Sequence, residues 1–249
     1  MKKRSGFTLA EVLITLTIIG VVAAITLPSI NANTGAVRAR TLLKKGLSTL
    51  NNAVMMNIAR NEWSFADLEA TPGDDEDRKA QRASRDRTMC GLLNETLIGE
   101  TYQGTDSNGG EATNEQYKLP VNADGSGGLA LNQDAIGSAG YHVTYQLADG
   151  IVIGLNFNAT NCTENKKHNG ANSASNFCRG FIDINGAKGP NRIITCLDGT
   201  AKYIQDENDD DYNSCEVADN PNADIFPIVF YDSTVELASN AAKAFFNAR

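Results

Sequence analysis

Apolar residues crowd into one stretch near the start of the chain and then thin into periodic patterns. Val12 to Val37 is 26 residues without a charge, and the part from Val12 to Ile30 is mostly apolar. At 1.5 Å per helical residue, about 20 such residues cross a hydrocarbon core, so the pattern predicts a membrane-crossing helix over 7–30. Beyond it, Leu43, Leu47, Leu50, Val54 and Ile58 recur at spacings of 4, 3, 4 and 4. That is one apolar stripe on an amphipathic helix over 31–62, with Arg38, Arg40, Lys44, Lys45 and Arg60 on its polar faces. A single element from Phe7 to about Glu62 would be about 84 Å long. Pro28 removes one backbone hydrogen bond and should bend or open this helix locally.

The pattern weakens between residues 64 and 140. Thr71-Pro72-Gly73-Asp74-Asp75 is turn chemistry, and Asp77 to Arg87 is rich in charge. Met89 to Ile98 reads as a short helix packed through Leu92, Leu93 and Leu97. Gly104 to Gly110 and Ala123 to Gly128 read as polar, glycine-rich loops. The second lacks the Lys-Ser/Thr ending and the flanking strand of a phosphate loop. Strand patterns then cluster. Tyr141 to Leu147 and Gly150 to Phe157 flank Ala148-Asp149-Gly150, a hairpin signature. Phe177 to Ile184, Arg192 to Leu197 and Ile225 to Tyr231 read as further strands, and Ser233 to Phe246 as a C-terminal amphipathic helix. A long helix, a variable region and an antiparallel sheet over 141–231 give an α+β class.

Charge narrows the function. There are 22 Lys and Arg against 30 Asp and Glu, a net charge of −8, with a pI near 4.8. A broad nucleic-acid footprint needs clustered positive charge and is not expected. Two histidines, His142 and His168, are little material for a histidine-rich metal centre or a catalytic triad. Lys2, Lys3 and Arg4 precede the apolar run, which puts the N-terminus in the cytoplasm and the rest across the membrane. A secretory signal needs small residues at a cleavage site after its core, and Ala23-Ala24-Ile25 fits poorly. A plain anchor leaves Glu11 unexplained, since an acid at the edge of an apolar helix is costly without a partner.

Ser5-Gly6-Phe7-Thr8-Leu9-Ala10-Glu11 accounts for both the leader and the acid. It resembles the class III signal of type IV pilins and pseudopilins: a basic leader ending in Gly, a Phe after it, and a Glu five residues into the mature chain. The resemblance covers Lys2 to Ile30 closely. It implies a leader over 1–6, cleavage between Gly6 and Phe7 by a membrane-embedded prepilin peptidase, and methylation of the new Phe7 amine. Glu11 would be the fifth mature residue and Pro28 the twenty-second, where many members carry a helix-kinking proline. The fold it implies is a pilin-like one, with the long helix packed on the antiparallel sheet of a head over 63–249. Buried in lipid, the Glu11 carboxylate gains from a cation such as a neighbour's Phe7 amine, or else snorkels to the headgroups. Phe181-Ile182-Asp183-Ile184-Asn185-Gly186-Ala187-Lys188-Gly189-Pro190-Asn191 is also similar to segments of pilin-like proteins. In those, Gly-x-Asp-x-Phe commonly follows soon; here Asp224-Ile225-Phe226 comes more than thirty residues later.

The function expected from these residues is a structural subunit of a type IV pilus or related filament, polymerised through its N-terminal helix. The alternatives are a pseudopilin of a type II secretion system and, from a different class, a tethered enzyme or binding module. The resemblance implies copies of this chain and other pilins as partners, with the prepilin peptidase, an inner-membrane assembly platform, and lipid before assembly. It places the precursor in the inner membrane with its head outside the cytoplasm, and the assembled form in a surface or periplasmic filament.

An exported head lies where disulfides persist. Cys162 with Cys178 would close the polar loop between two strands, and Cys196 with Cys215 the acidic loop, while Cys90 reads as a buried thiol. Gln205 to Asp211 carries five acids in seven residues. Oxygen-rich loops suit calcium, and some secretion pseudopilins hold it in a loop of their sheet. The candidate ligands are Asp183 and Asn185 with Asp209, Asp211 or Asp224; a solvated acidic loop is the plainer reading. No other cofactor is expected.

Overall fold

A computed structural model of the 249-residue chain describes residues 8–69, 87–97, 101–107, 141–156, 159–163, 178–186, 188, 192–199, 215–219, 221 and 223–248, with side chains left out at 26–34, 94–95, 101–107 and 141–143. One helix, α1 (Leu9–Asn61), runs through 53 residues, and its helical backbone continues through Pro28. It stops where Glu62 takes a left-handed conformation (φ 61°) and returns its N–H to the Ile58 carbonyl at 3.0 Å. A 3₁₀ turn (Phe65–Asp67) and a short helix, α2 (Met89–Thr96), follow. Ser64 and Thr88 cap these two elements with their hydroxyls.

Six strands come next: β1 (Thr101–Ser107), β2 (Tyr141–Gln146), β3 (Val152–Asn156), β4 (Arg179–Asp183), β5 (Ile225–Tyr231) and β6 (Thr234–Leu237). They form one sheet in chain order, each antiparallel to the next, and α3 (Asn240–Asn247) closes the chain. Helix and antiparallel sheet make an α+β fold of the pilin-like plan. The Ala148-Asp149-Gly150 turn joins β2 to β3, with Gly150 at φ 89°, which a side chain would strain.

Four corrections to the sequence reading follow. The sheet begins at β1, inside the region read as variable, because Gly104 sits at a register shift beside Tyr102 rather than in a loop. Arg192 to Leu197 is no strand: it meets β5 in a single parallel bridge, Ile193 to Ile225, before turning at Leu197–Gly199. The helix read over 233–246 is split. Thr234–Leu237 returns as β6 through a turn with Asp232 at φ 47°, and only after the Ser239 cap does α3 begin. Helix α2 also ends at Thr96, two residues sooner than read.

The core lies between α1 and one face of the sheet. Leu43, Leu47, Leu50 and Val54 are buried there against Ile153, Ile182, Ile228 and Phe230, with Leu92 and Leu93 of α2 alongside. Glycine lets the layers meet closely, since a Cβ at Gly46 would sit 2.9 Å from the Ile182 side chain. β6 is an edge strand, and its open backbone is met by α1. The Asn51 amide donates to the Val235 carbonyl (3.1 Å) and its oxygen accepts the Val235 N–H (2.9 Å). Arg40 donates to the Phe245 carbonyl (3.0 Å) and stacks on its ring, while Lys44 lies 5.2 Å from the Phe246 ring centroid. These contacts lock α3 onto the helix. Asn51→Ala should leave both Val235 backbone groups without their partner and lower stability by about 1–3 kcal/mol. Thermal unfolding of the variant beside the unaltered chain measures this.

Candidate functional site

The helix terminus is built by four residues. Thr8 is extended (ψ 150°), and its hydroxyl accepts the Glu11 N–H at 3.3 Å. The Glu11 carboxylate in turn accepts the Thr8 N–H and O–H, both at 2.8 Å. This is a capping box, which satisfies two of the donors that a helix start leaves open. The Ser/Thr-x-x-Glu signal for it stands in Thr8 to Glu11, yet the sequence reading gave Glu11 only intermolecular partners. Thr15 and Thr17 turn their hydroxyls back to carbonyls one turn earlier, so they add no polar demand on the surroundings. From Leu9 to Ile25 the large apolar side chains are exposed all round, between 45% and 79%. Gly6 and Phe7 lie outside the described residues, as does the side chain of Pro28.

No helix among the described residues is long and apolar enough to cross a membrane. The described apolar surface breaks off at Ile25, where the side chains of 26–34 are left out, so the segment read over 7–30 is only partly in view.

Around the head, Cys162 bonds Cys178 and Cys196 bonds Cys215, while Cys90 is a buried thiol on α2. The first bridge sits in a woven patch of backbone at the far end of α1. Cys162 N–H donates to the Phe65 carbonyl (3.1 Å) and Asp232 N–H to the Cys162 carbonyl (2.7 Å). Phe230 N–H donates to the Cys178 carbonyl (3.1 Å), and the Phe65 and Phe230 rings lie 5.0 Å apart. The bridge therefore ties together the turn after α1, the β3–β4 connection and the β5–β6 turn.

Of the calcium candidates, Asp183 and Asp224 are buried at the ends of β4 and β5. Asp183 accepts backbone N–H from Asn185 (3.0 Å) and Gly186 (2.9 Å), and Asp224 accepts from Arg192 (2.7 Å). The main-chain carbonyl of Asp224 also accepts the Ile184 N–H at 3.0 Å, which brings the end of β4 beside the start of β5. The Asp183 carboxylate thus orders the turn after β4, and that of Asp224 ties Arg192 to the start of β5. Asp209 and Asp211 lie outside the described residues, and among those described no group of three or more His, Cys, Asp or Glu gathers to hold a metal ion. His168 is outside them too, as is the side chain of His142. A cavity of about 290 Å³ between α1, the end of α2 and the β2–β3 turn is bordered by an ion pair from Lys45 Nζ to Asp149 Oδ2 (2.5 Å).

Residues 1–27 match the family model described as the prokaryotic N-terminal methylation motif. This is the class III prepilin signal of type IV pilins and pseudopilins, and the chain carries it. Such a signal marks a membrane-anchored precursor of a structural, pilin-type protein. No curated protein and no solved structure matches the chain.

Replacing both Cys162 and Cys178 by Ala should cost about 3 kcal/mol, the chain-entropy value for a loop of this length. Chemical denaturation measures the loss. Non-reducing peptide maps of the unaltered chain should contain the Cys162–Cys178 peptide pair and no bridge to Cys90.

Proposed function

We propose that this chain is a structural subunit of a type IV pilus or a related filament. The observation that carries the reading is the methylation motif at residues 1–27, continuous with a helix that exposes large apolar side chains all round from Leu9 to Ile25. In this reading the prepilin peptidase cuts between Gly6 and Phe7 and methylates the Phe7 amine. The apolar segment over 7–30 rests in the inner membrane with the head outside the cytoplasm. It then leaves lipid for the company of identical helices, and the head over 63–249 covers the filament. Copies of this chain, other pilins and the assembly platform are its partners, and no catalytic group is needed.

Glu11 has two settings in this account. In the lone subunit its carboxylate is held by Thr8, which lowers the cost of keeping it in an apolar setting. During docking it exchanges that partner for the Phe7 amine of a neighbour, which replaces neutral donors by a full positive charge. Pro28 lets the helix bend as it packs. The motif serves pilins and pseudopilins alike, so a pseudopilin of a type II secretion system is the second reading. A long surface fibre against a short periplasmic one distinguishes the two.

Mass spectrometry of the mature protein should give a chain that begins at N-methylated Phe7; a chain that keeps Met1 or starts after Ala24 contradicts the reading. Glu11→Val should yield a processed, inserted and folded subunit whose sheared filament fraction falls about tenfold or more, the effect of losing one charge-assisted pair of about 1.5–3 kcal/mol. Full incorporation of the Val variant would show the carboxylate idle in docking.

A further inference from the structure

One side of α1 is largely uncovered by the described residues, apart from the Lys45–Asp149 pair that crosses it. Arg38, Thr41, Lys45, Ser48, Asn52 and Met55 follow at alternating spacings of three and four, and every one is exposed. Beyond Ile25, the described residues leave three large apolar side chains in the open: Val37, Met55 and Leu197. Two of the three are on this helix, Val37 beside Arg38 at one end and Met55 at the other.

The same helix is basic. Between Val12 and Asn61 it has five cations and no acid. The remainder of the chain is the reverse. Three of the 22 Lys and Arg lie in residues 1–6 and five on α1, and one of the 30 acids lies on α1. Residues 62–249 therefore hold 14 cations against 29 acids, a net charge of −15.

Most of the helix cations are engaged inside the subunit, Lys45 with Asp149, Lys44 with Phe246 and Arg40 with Phe245. Arg38 is exposed and has no partner among the described residues. At the opposite end of α1 four described, exposed acids outnumber two exposed cations, Arg60 and Arg87. Glu62 ends the helix, Asp67 accepts the Ser64 N–H (2.9 Å), Asp232 lies 3.5 Å from the Ser64 hydroxyl, and Glu69 follows. Along the axis Arg38 and Glu62 are about 36 Å apart, so one subunit cannot join its own two ends.

Resting on the filament reading above, we propose that the basic face of α1 docks against the acidic far end of a second copy, with Arg38 set against the Glu62–Glu69 rim. Unlike surfaces at two ends of a rod make a heterologous contact, which repeats from copy to copy without closing. Opposite charge sets the register of that contact, and the exposed Val37 and Met55 give it apolar area. A layer of anionic lipid headgroups is a weaker fit. It is roughly 5–8 Å deep on each side of the hydrocarbon, whereas the face continues about 26 Å beyond Arg38 to Met55.

The test is charge reversal in the full-length chain in cells, with Arg38→Glu and Glu69→Lys made singly and together. Each single variant should lower the sheared filament fraction about tenfold or more, since like charges in a contact cost several kcal/mol. The double variant should recover most of it. All three must still be processed to Phe7 and must keep the melting temperature of the unaltered chain, as both positions are exposed. Normal filaments from Arg38→Glu overturn this proposal and leave the filament reading standing. So does a double variant as defective as the singles. So does a defect that tracks lost sedimentation with phosphatidylglycerol vesicles, which would assign Arg38 to lipid. An unaltered chain that forms no filament removes the parent reading and this one together.

Discussion

The start of α1, from Leu9 to Ile25, has no other described part of its own chain to lie against, and much of the molecule follows from that. Ten large apolar side chains between Leu9 and Ile25 are exposed. Covering such a side chain is worth about 1.5–3 kcal/mol. Even halved, because neighbouring turns already shield part of each, the total is about as large as the 5–15 kcal/mol that keeps a domain folded. Water is therefore not a stable surrounding for this half of the helix. Lipid or a bundle of like helices is, and the Thr8–Glu11 capping box makes the charged end compatible with either.

The second half of the same helix is anchored differently. Its stripe of Leu43, Leu47, Leu50 and Val54 is buried on the sheet, and Asn51 pairs with the edge of β6 as another strand would. Arg40 and Lys44 clamp α3 on the same side. A load applied to the bare half passes into the head through these contacts, and the Cys162–Cys178 bridge meets it at the far end of the helix. One continuous helix thus joins whatever covers its start to the sheet that rides on its second half.

What could be read from sequence was local. The stripe on α1, the Ala148-Asp149-Gly150 turn and the leader motif each sit within a few residues, where period, turn chemistry and spacing act. Residues 234–237 suit a helix as well, since Val235, Ala238, Ala242 and Phe245 recur at spacings of 3, 4 and 3, but the structure pairs them with β5 as a strand and starts the helix only after the Ser239 cap. Arg192 to Leu197 has strand composition, but among the described residues it meets β5 through one bridge, Ile193 to Ile225. The contacts that fix α1 on the head were not legible at all. Asn51 and Val235 are 184 residues apart, and Lys45 meets Asp149 on the distant β2–β3 turn. Nor do scattered acids announce that Asp183 and Asp224 would be taken up by backbone N–H groups.

The central claim is that the bare half of α1 is covered by copies of itself. Electron cryomicroscopy of filaments sheared from cells that express the full-length chain tests it most directly. The account predicts a helical fibre whose axis is packed with the helices from Phe7 to Ile25 of successive subunits, with residues 1–6 gone and the six-stranded sheets outside. A fibre in which this segment lies on the surface, or cells in which the chain stays in the membrane as single subunits and never forms a fibre, would contradict it.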